Sequence, residues 1–132
     1  MNDTFTLYFD GCSKGNPGKA GAGAVIYKNN TEIFSISSYV GDKETNNIAE
    51  YTGLIIGLSE AINLKIKKLN VKGDSELIIK QMNDEYKVKS THILQLFKNA
   101  KKLTELFDEI TFNHVYRNDN RRADELANNS LL

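Results

Sequence analysis

Hydrophobic and polar positions along this chain switch between two periods. Thr4 to Phe9 alternates in twos, is rich in aromatic and β-favouring residues, and runs into Asp10-Gly11, which reads as a turn pair. A glycine-rich stretch from Gly11 to Gly23 follows and holds the only proline, Pro17. Ala24 to Tyr27 and Glu32 to Val40 then read as two further strands joined at Asn29-Asn30, giving a three-stranded antiparallel meander. From Asn46 to Leu64 the period changes: Ile48, Leu54, Ile55, Leu58, Ala61 and Ile62 recur at helical spacing. Lys68 to Lys72 is a short strand ending at Gly73-Asp74, and Ser75 to Met82 a helix. Ser90 or Thr91 caps a helix through Leu106, Ile110 to Tyr116 is a strand, and Asn118-Asp-Asn120 opens a last helix ending near Leu132. The order βββαβααβα predicts an α/β fold, a five-stranded mixed sheet with helices on both faces. No repeat, linker or low-complexity segment divides it, so residues 1–132 read as a single domain.

Composition changes this picture little. Hydrophobic residues are 40% and charged residues 26% of 132, the balance of a globular protein able to enclose a core. Cys12 is the only cysteine, which excludes an internal disulfide and a thiolate metal cluster. Neither a basic leader with an apolar run nor a membrane-length segment is present, so the expectation is a cytoplasmic protein with no membrane association. Lysine plus arginine equal aspartate plus glutamate at 17 each, so the global field does not call for a polyanionic partner. The arginines, Arg117, Arg121 and Arg122, gather near the C-terminal end.

Four acids carry the candidate chemistry. Singly, each has an ordinary explanation: Asp10 opens a turn, Asp74 caps a helix, Asp124 favours a helix's positive first turn, and Glu50 is a solvated helix residue. Gly53 and Gly57, however, share a helical face with Glu50, and each disfavours a helix by about 1 kcal/mol relative to alanine. Close approach of that face to the sheet compensates, and it carries Glu50 inward. If the strands ending at Asp10 and Asp74 are neighbours, their carboxylates emerge at the same sheet edge, where open α/β folds place ligands. Two carboxylates 4 Å apart repel by about 4 kcal/mol at an effective dielectric of 20, so such a cluster is protonated or neutralised by a cation. An all-oxygen donor set points to magnesium rather than zinc.

In these residues the chain resembles type 1 ribonuclease H over nearly its whole length. The resemblance rests on Tyr8-Phe-Asp-Gly-Cys-Ser-Lys-Gly-Asn-Pro-Gly18 with Gly21-Ala-Gly23, on Thr45-Asn-Asn-Ile-Ala-Glu50-Tyr, on Gly73-Asp74-Ser75, and on Arg117-Asn-Asp-Asn-Arg-Arg-Ala-Asp124-Glu-Leu-Ala127. It implies the ribonuclease H-like fold and a metal-dependent endoribonuclease that cuts the RNA strand of RNA–DNA hybrids, leaving 5′-phosphate and 3′-hydroxyl ends. Asp10, Glu50, Asp74 and Asp124 are then catalytic and hold two Mg²⁺ ions, with Mn²⁺ substituting; Asp10 bridges the pair and Asp124 serves the ion at the attacking water. Glu50 and Asp74 complete the other shell, and Glu50 approaches the ribose 2′-hydroxyl. The resemblance also implies substrate contacts at Gly11, Cys12, Ser13, Gly15 and Asn16 along a flexible backbone, at Asn46 and Asn47 in the minor groove, and at Thr45, Ser75, Arg117 and Asn120. Thr45 reads equally as a helix N-cap.

Departures from that family are informative. Many members carry a histidine in the loop before the last acid, but Tyr116-Arg117-Asn118-Asp119-Asn120 has none, and His114 falls inside the preceding strand, where a structural role is expected. The sequence thus resembles a histidine-lacking branch, with Arg117 and Asn120 as candidates to assist. Asn83-Asp-Glu-Tyr-Lys-Val-Lys89 joins two helices without the basic, tryptophan-bearing protrusion of some members, and no separate hybrid-binding domain is expected ahead of Asp10. A monomer without an obligatory protein partner is expected. Competing classes fit less well. A phosphate-cradling nucleotide site fits poorly because Gly18-Lys19 is followed by Ala20 and leads into a strand. A related-fold exonuclease usually has a glutamate two residues after the first aspartate, where Cys12 stands. A nuclease for duplex RNA and a catalytically silent nucleic-acid-binding module also compete, and the intact set of four acids speaks against the silent module. Few cationic contacts predict modest hybrid affinity, with a shallow slope of log K against log salt. A slope as steep as that of a strongly basic binder would contradict this.

Overall fold

In a computed structural model, which describes residues 3–132, the first strand does not stop at Phe9. β1 spans Phe5–Lys14 and pairs antiparallel with β2, Gly18–Lys28, along its whole length, from Phe5 opposite Lys28 to Lys14 opposite Lys19. Asp10-Gly11 is therefore mid-strand rather than a turn, and Gly11 to Gly23 is a hairpin rather than a flexible loop. The turn lies at Gly15-Asn16-Pro17, where Gly15 adopts φ 92°, a left-handed value that costs glycine nothing. Glycine in a strand interior ordinarily signals weakness, which is why the stretch reads as a loop; here the glycines sit under helices that pack directly on the backbone.

The remaining elements follow the expected order. β3 is Thr31–Glu44, α1 Asn46–Asn63, β4 Lys68–Gly73, α2 Glu76–Met82, α3 Thr91–Thr104, β5 Glu109–His114 and α4 Arg121–Asn129, with one turn of 3-10 helix at Arg117–Asp119 before α4. β2 and β3 are longer than their apolar runs, because strand pairing continues past Val40 to Gly18 opposite Glu44. The sheet order is β3-β2-β1-β4-β5. The first three strands form the antiparallel meander; β4 runs parallel to β1 and β5 parallel to β4. Phe9 stands level with Gly73, and Gly73 with His114, so three strands end their parallel pairing along one line.

Side chains on β1 alternate between two cores. Leu7 and Phe9 enter the larger one with Tyr51, Leu54 and Leu58 of α1, Val71, Ile78 and Phe112. Tyr8 faces the other side, beside Val25 and the Ala123 and Leu126 of α4. Helices thus cover both faces, as expected. A buried hydrogen bond from the Tyr51 hydroxyl to Gln81 Oε1, 2.6 Å, joins α1 to α2.

α1 lies on the strands without an intervening side-chain layer at Gly53. A Cβ there would sit 2.7 Å from the Asp10 carbonyl oxygen and 3.0 Å from that of Gly23, closer than real Cβ contacts come. Alanine in its place gains about 1 kcal/mol in helix propensity but incurs about 1–3 kcal/mol of overpacking against backbone that cannot rotate away. Gly53→Ala is therefore expected to lower the urea midpoint of unfolding. A midpoint at or above the parent's would show that α1 does not rest on the sheet in this way.

Candidate active site

The line along which β1, β4 and β5 stop pairing opens a cleft of about 630 Å³. Asp10, one residue past the Phe9–Gly73 level, is 5% exposed and accepts the Gly11 N–H at 2.9 Å. Glu50 arrives from α1, whose first turn is capped by Thr45, its hydroxyl accepting the Ile48 N–H at 3.2 Å. A Cβ on Gly11 would overlap the backbone of Ala49 and Glu50, so glycine after Asp10 is what lets α1 bring its acid alongside. Asp74 is the first residue beyond β4. The cap of α2 is Ser75, whose Oγ accepts the Ile78 N–H at 3.3 Å, so Asp74 keeps its carboxylate for the cleft.

One carboxylate oxygen from each of Asp10, Glu50 and Asp74 lies within 4.8 Å of the others. Asp124, in the first turn of α4, borders the same cleft but stands outside that cluster. α4 is held to the sheet at this point by Asn120, whose Nδ2 donates to the Phe9 carbonyl at 3.0 Å.

Burial chiefly, then the negative charge of Asp74, pushes the Asp10 carboxyl up from 3.8 to about 9, although the Gly11 N–H opposes the shift. The same two causes push Glu50 up to about 7, against hydrogen bonds from Asp10 and Ser75. Burial likewise raises the Cys12 thiol. Among the described residues, no lysine or arginine forms an ion pair with any of the four acids.

The expected substrate contacts do not all lie together. Gly11, Cys12, Ser13, Asn46, Ser75 and Arg117 border the cleft with the acids. Ser13 and Asn16 also tie the hairpin to the β3–α1 junction, Ser13 Oγ donating to the Glu44 carbonyl at 2.7 Å and Asn16 Oδ1 accepting the Asn46 N–H at 2.9 Å, while Gly15 forms the hairpin turn and Thr45 caps α1. Asn47 borders a separate cavity of about 560 Å³ with Lys87 and Lys89 of the α2–α3 connection. Asn120 lies apart from these residues: it is 1% exposed, its Nδ2 donates to the Phe9 carbonyl, and its Oδ1 is buried without a hydrogen-bond partner among the described residues. His114 also differs from expectation: it ends β5, is exposed, borders the cleft and stacks edge-to-face on Tyr116 at 5.4 Å. Only the parallel register, level with Gly73, could have revealed this. Lys14, inside the first motif but not singled out there, and Asn128, one residue past the last motif, also line the cleft.

A family model described as "Reverse transcriptase-like" matches residues 8–130. Halobacterium salinarum ribonuclease HI is 36% identical over 94% of this chain, and the RNase H1 structure from that archaeon superposes with TM-score 0.92 at 33% identity, covering 97% of each chain. The chain belongs to the ribonuclease H family. Another ribonuclease H relative, the Mycobacterium tuberculosis bifunctional protein Rv2228c, is 40% identical over 92% of this chain, and its N-terminal RNase H domain has been solved as a maltose-binding-protein fusion, with TM-score 0.94, 38% identity and coverage of 98% and 94%. This chain spans only 34% of the length of Rv2228c and 62% of that of the halobacterial relative. LC11-RNase H1, solved in complex with RNA/DNA hybrid, matches at 34% identity and TM-score 0.89 over 96% of each chain.

The ribonuclease H family is metal-dependent, and the donor set in this chain fits a metal ion. It consists of carboxylate oxygens without histidine or cysteine, the preference of hard divalent ions, and it concentrates negative charge that the described protein groups leave uncompensated.

The raised carboxyls set a pH dependence for the metal-free protein. Asp10 keeps a proton in the folded state that the unfolded chain loses near 3.8, so stability falls as pH rises from there and levels off above about 9. Glu50 adds to the decline between 4.5 and about 7. Urea unfolding in EDTA is expected to show a lower midpoint at pH 8 than at pH 5, and Asp10→Asn is expected to recover much of the difference. Equal midpoints for parent and variant at pH 8 would refute the electrostatic account.

Proposed function

We propose that this chain is an endoribonuclease that hydrolyses the RNA strand of RNA–DNA hybrids and leaves 5′-phosphate and 3′-hydroxyl ends. The observation that carries the reading is the meeting of Asp10, Glu50 and Asp74 oxygens within 4.8 Å in a cleft that Asp124 also borders. A relative of the same fold solved with an RNA/DNA hybrid supports the choice of substrate.

In this reading Asp10, Glu50 and Asp74 hold divalent metal, Mg²⁺ by preference with Mn²⁺ as a substitute, and Asp124 completes a two-ion site. Bound there, the ions supply activation of a water and stabilisation of the leaving oxygen. The protein's part is to place them and the strand. Asp10, the most buried of the three, would hold the metal from the floor of the cleft, with Glu50 and Asp74 beside it. Glu50 takes the hydrogen bond of the ribose 2′-hydroxyl, a group only RNA offers.

Gly11, Cys12 and Ser13 present backbone to the minor groove from a braced strand rather than a flexible loop. Gly15, Asn16, Asn46 and Asn47 extend that contact, Thr45 donates its hydroxyl hydrogen to a phosphate of the DNA strand, and exposed Arg117 meets a phosphate at the rim. Residues 1–132 act as one domain and as a monomer in the cytoplasm; no described helix is long and apolar enough to cross a membrane.

End-labelled hybrid, duplex RNA and duplex DNA, each incubated with Mg²⁺ or EDTA, test the reading. The RNA of the hybrid is expected to be cut in Mg²⁺ alone, leaving 5′-phosphate ends. Asp10→Asn is expected to slow cleavage by roughly a hundred- to a thousandfold, the scale of losing one group that stabilises transition-state charge. Cleavage confined to DNA, or cleavage indifferent to EDTA, would overturn it.

A further inference from the structure

A relay of side chains runs along the α4 wall of the cleft, apart from the three clustered acids. Asn128, one turn after Asp124 on α4, donates its Nδ2 to the Asp124 Oδ1 at 3.1 Å and to the Asp124 carbonyl at 2.9 Å. Its Oδ1 in turn accepts from Lys14 Nζ, 3.2 Å, on the last residue of β1. A lysine ammonium has donors only, so it dictates which way the carboxamide faces: oxygen to Lys14, amide hydrogens to Asp124. The Asp124 carboxylate is thereby held by one oxygen, while the other carries no hydrogen bond among the described residues. Lys14 itself forms no ion pair with any acid among them.

We propose that Asn128 and Lys14 are positioning residues for the fourth acid, a brace from the hairpin that fixes Asp124 for ligation through a single oxygen. The inference rests on the metal-dependent cleavage proposed above. It concerns the acid that stands apart from the cluster of Asp10, Glu50 and Asp74: α4 carries Asp124 to the cleft, and a side chain of the same helix, in contact with the hairpin, orients its carboxylate. It also connects the segment that meets the minor groove to the metal site, because Lys14 directly precedes the Gly15-Asn16-Pro17 turn. A brace of this kind acts on the metal and on turnover, not on the grip on substrate.

The test uses the whole chain with Asn128→Ala, Lys14→Met, Lys14→Arg and the Asn128→Ala/Lys14→Met double variant. Two readouts are taken: steady-state cleavage of hybrid across Mg²⁺ concentrations, and calorimetric Mn²⁺ binding to the protein saturated with a hybrid whose RNA strand is 2′-O-methylated and resists cleavage. Asn128→Ala is expected to weaken Mn²⁺ binding and lower kcat by roughly ten- to a hundredfold, the usual effect of removing a group that orients a metal ligand, with KM for hybrid within about twofold. Lys14→Met is expected to do the same to a smaller degree and Lys14→Arg to restore it. The double variant should be no worse than Asn128→Ala alone, since one residue acts through the other.

Unchanged Mn²⁺ binding in Asn128→Ala, multiplying losses in the double variant, or a rise in KM at constant kcat for Lys14→Met would each overturn the brace. Should the parent protein fail to cut hybrid at all, the proposed activity falls instead. The calorimetric comparison then decides the brace by itself.

Discussion

Everything at the cleft depends on how closely α1 approaches β1. Two backbones in contact, with glycine at Gly11 on the strand and at Gly53 on the helix, leave no room for an intervening side chain. That contact replaces the side-chain layer that usually separates helix from sheet. As a result Glu50 sits beside Asp10, at the level where β4 ends and Asp74 leaves the sheet. The larger core on the same face, from Leu7 and Phe9 to Tyr51 and Leu58, supplies the burial that holds the two backbones together.

The same approach creates an electrostatic problem that the fold does not solve internally. Asp10 is nearly inaccessible to water, which makes its ionised form costly, and two more carboxylates share its surroundings. Nearby cations exist in Lys14 and Arg117, yet neither pairs with the cluster. Structure and charge therefore pull in opposite directions at this spot. The protein alone meets the conflict by holding protons, and a divalent ion meets it by replacing them.

Much of this is legible in the amino-acid order. Helical spacing from Ile48 to Ile62 and the alternation of Thr4 to Phe9 mark out the elements, and Gly53 and Gly57 beneath Glu50 announce the close contact. Strand boundaries are harder. Gly11 to Gly23 lacks the bulky residues that mark strands, because its side-chain volume is supplied by α1 and α4 instead: at Gly23 a Cβ would stand 2.7 Å from the Ala127 nitrogen. Asn120 misleads for a related reason, since an asparagine before a helix looks the same whether its amide faces solvent or a strand carbonyl. The place of His114 at the cleft and the contact of Lys14 with Asn128 depend on register and tertiary neighbours that no local pattern encodes.

The anchoring of α4 has a bearing on the order in which the molecule can be assembled. The contact of Glu50 with Asp10 needs only the meander and the first helix, all within the opening half of the polypeptide, whereas Asp124 and the amide that caps Phe9 come from the last helix. The cleft's two walls thus come from stretches far apart in sequence, and the second is complete only once α4 has packed on the sheet. A molecule in which α4 has come away from the sheet would lack the far wall of the cleft.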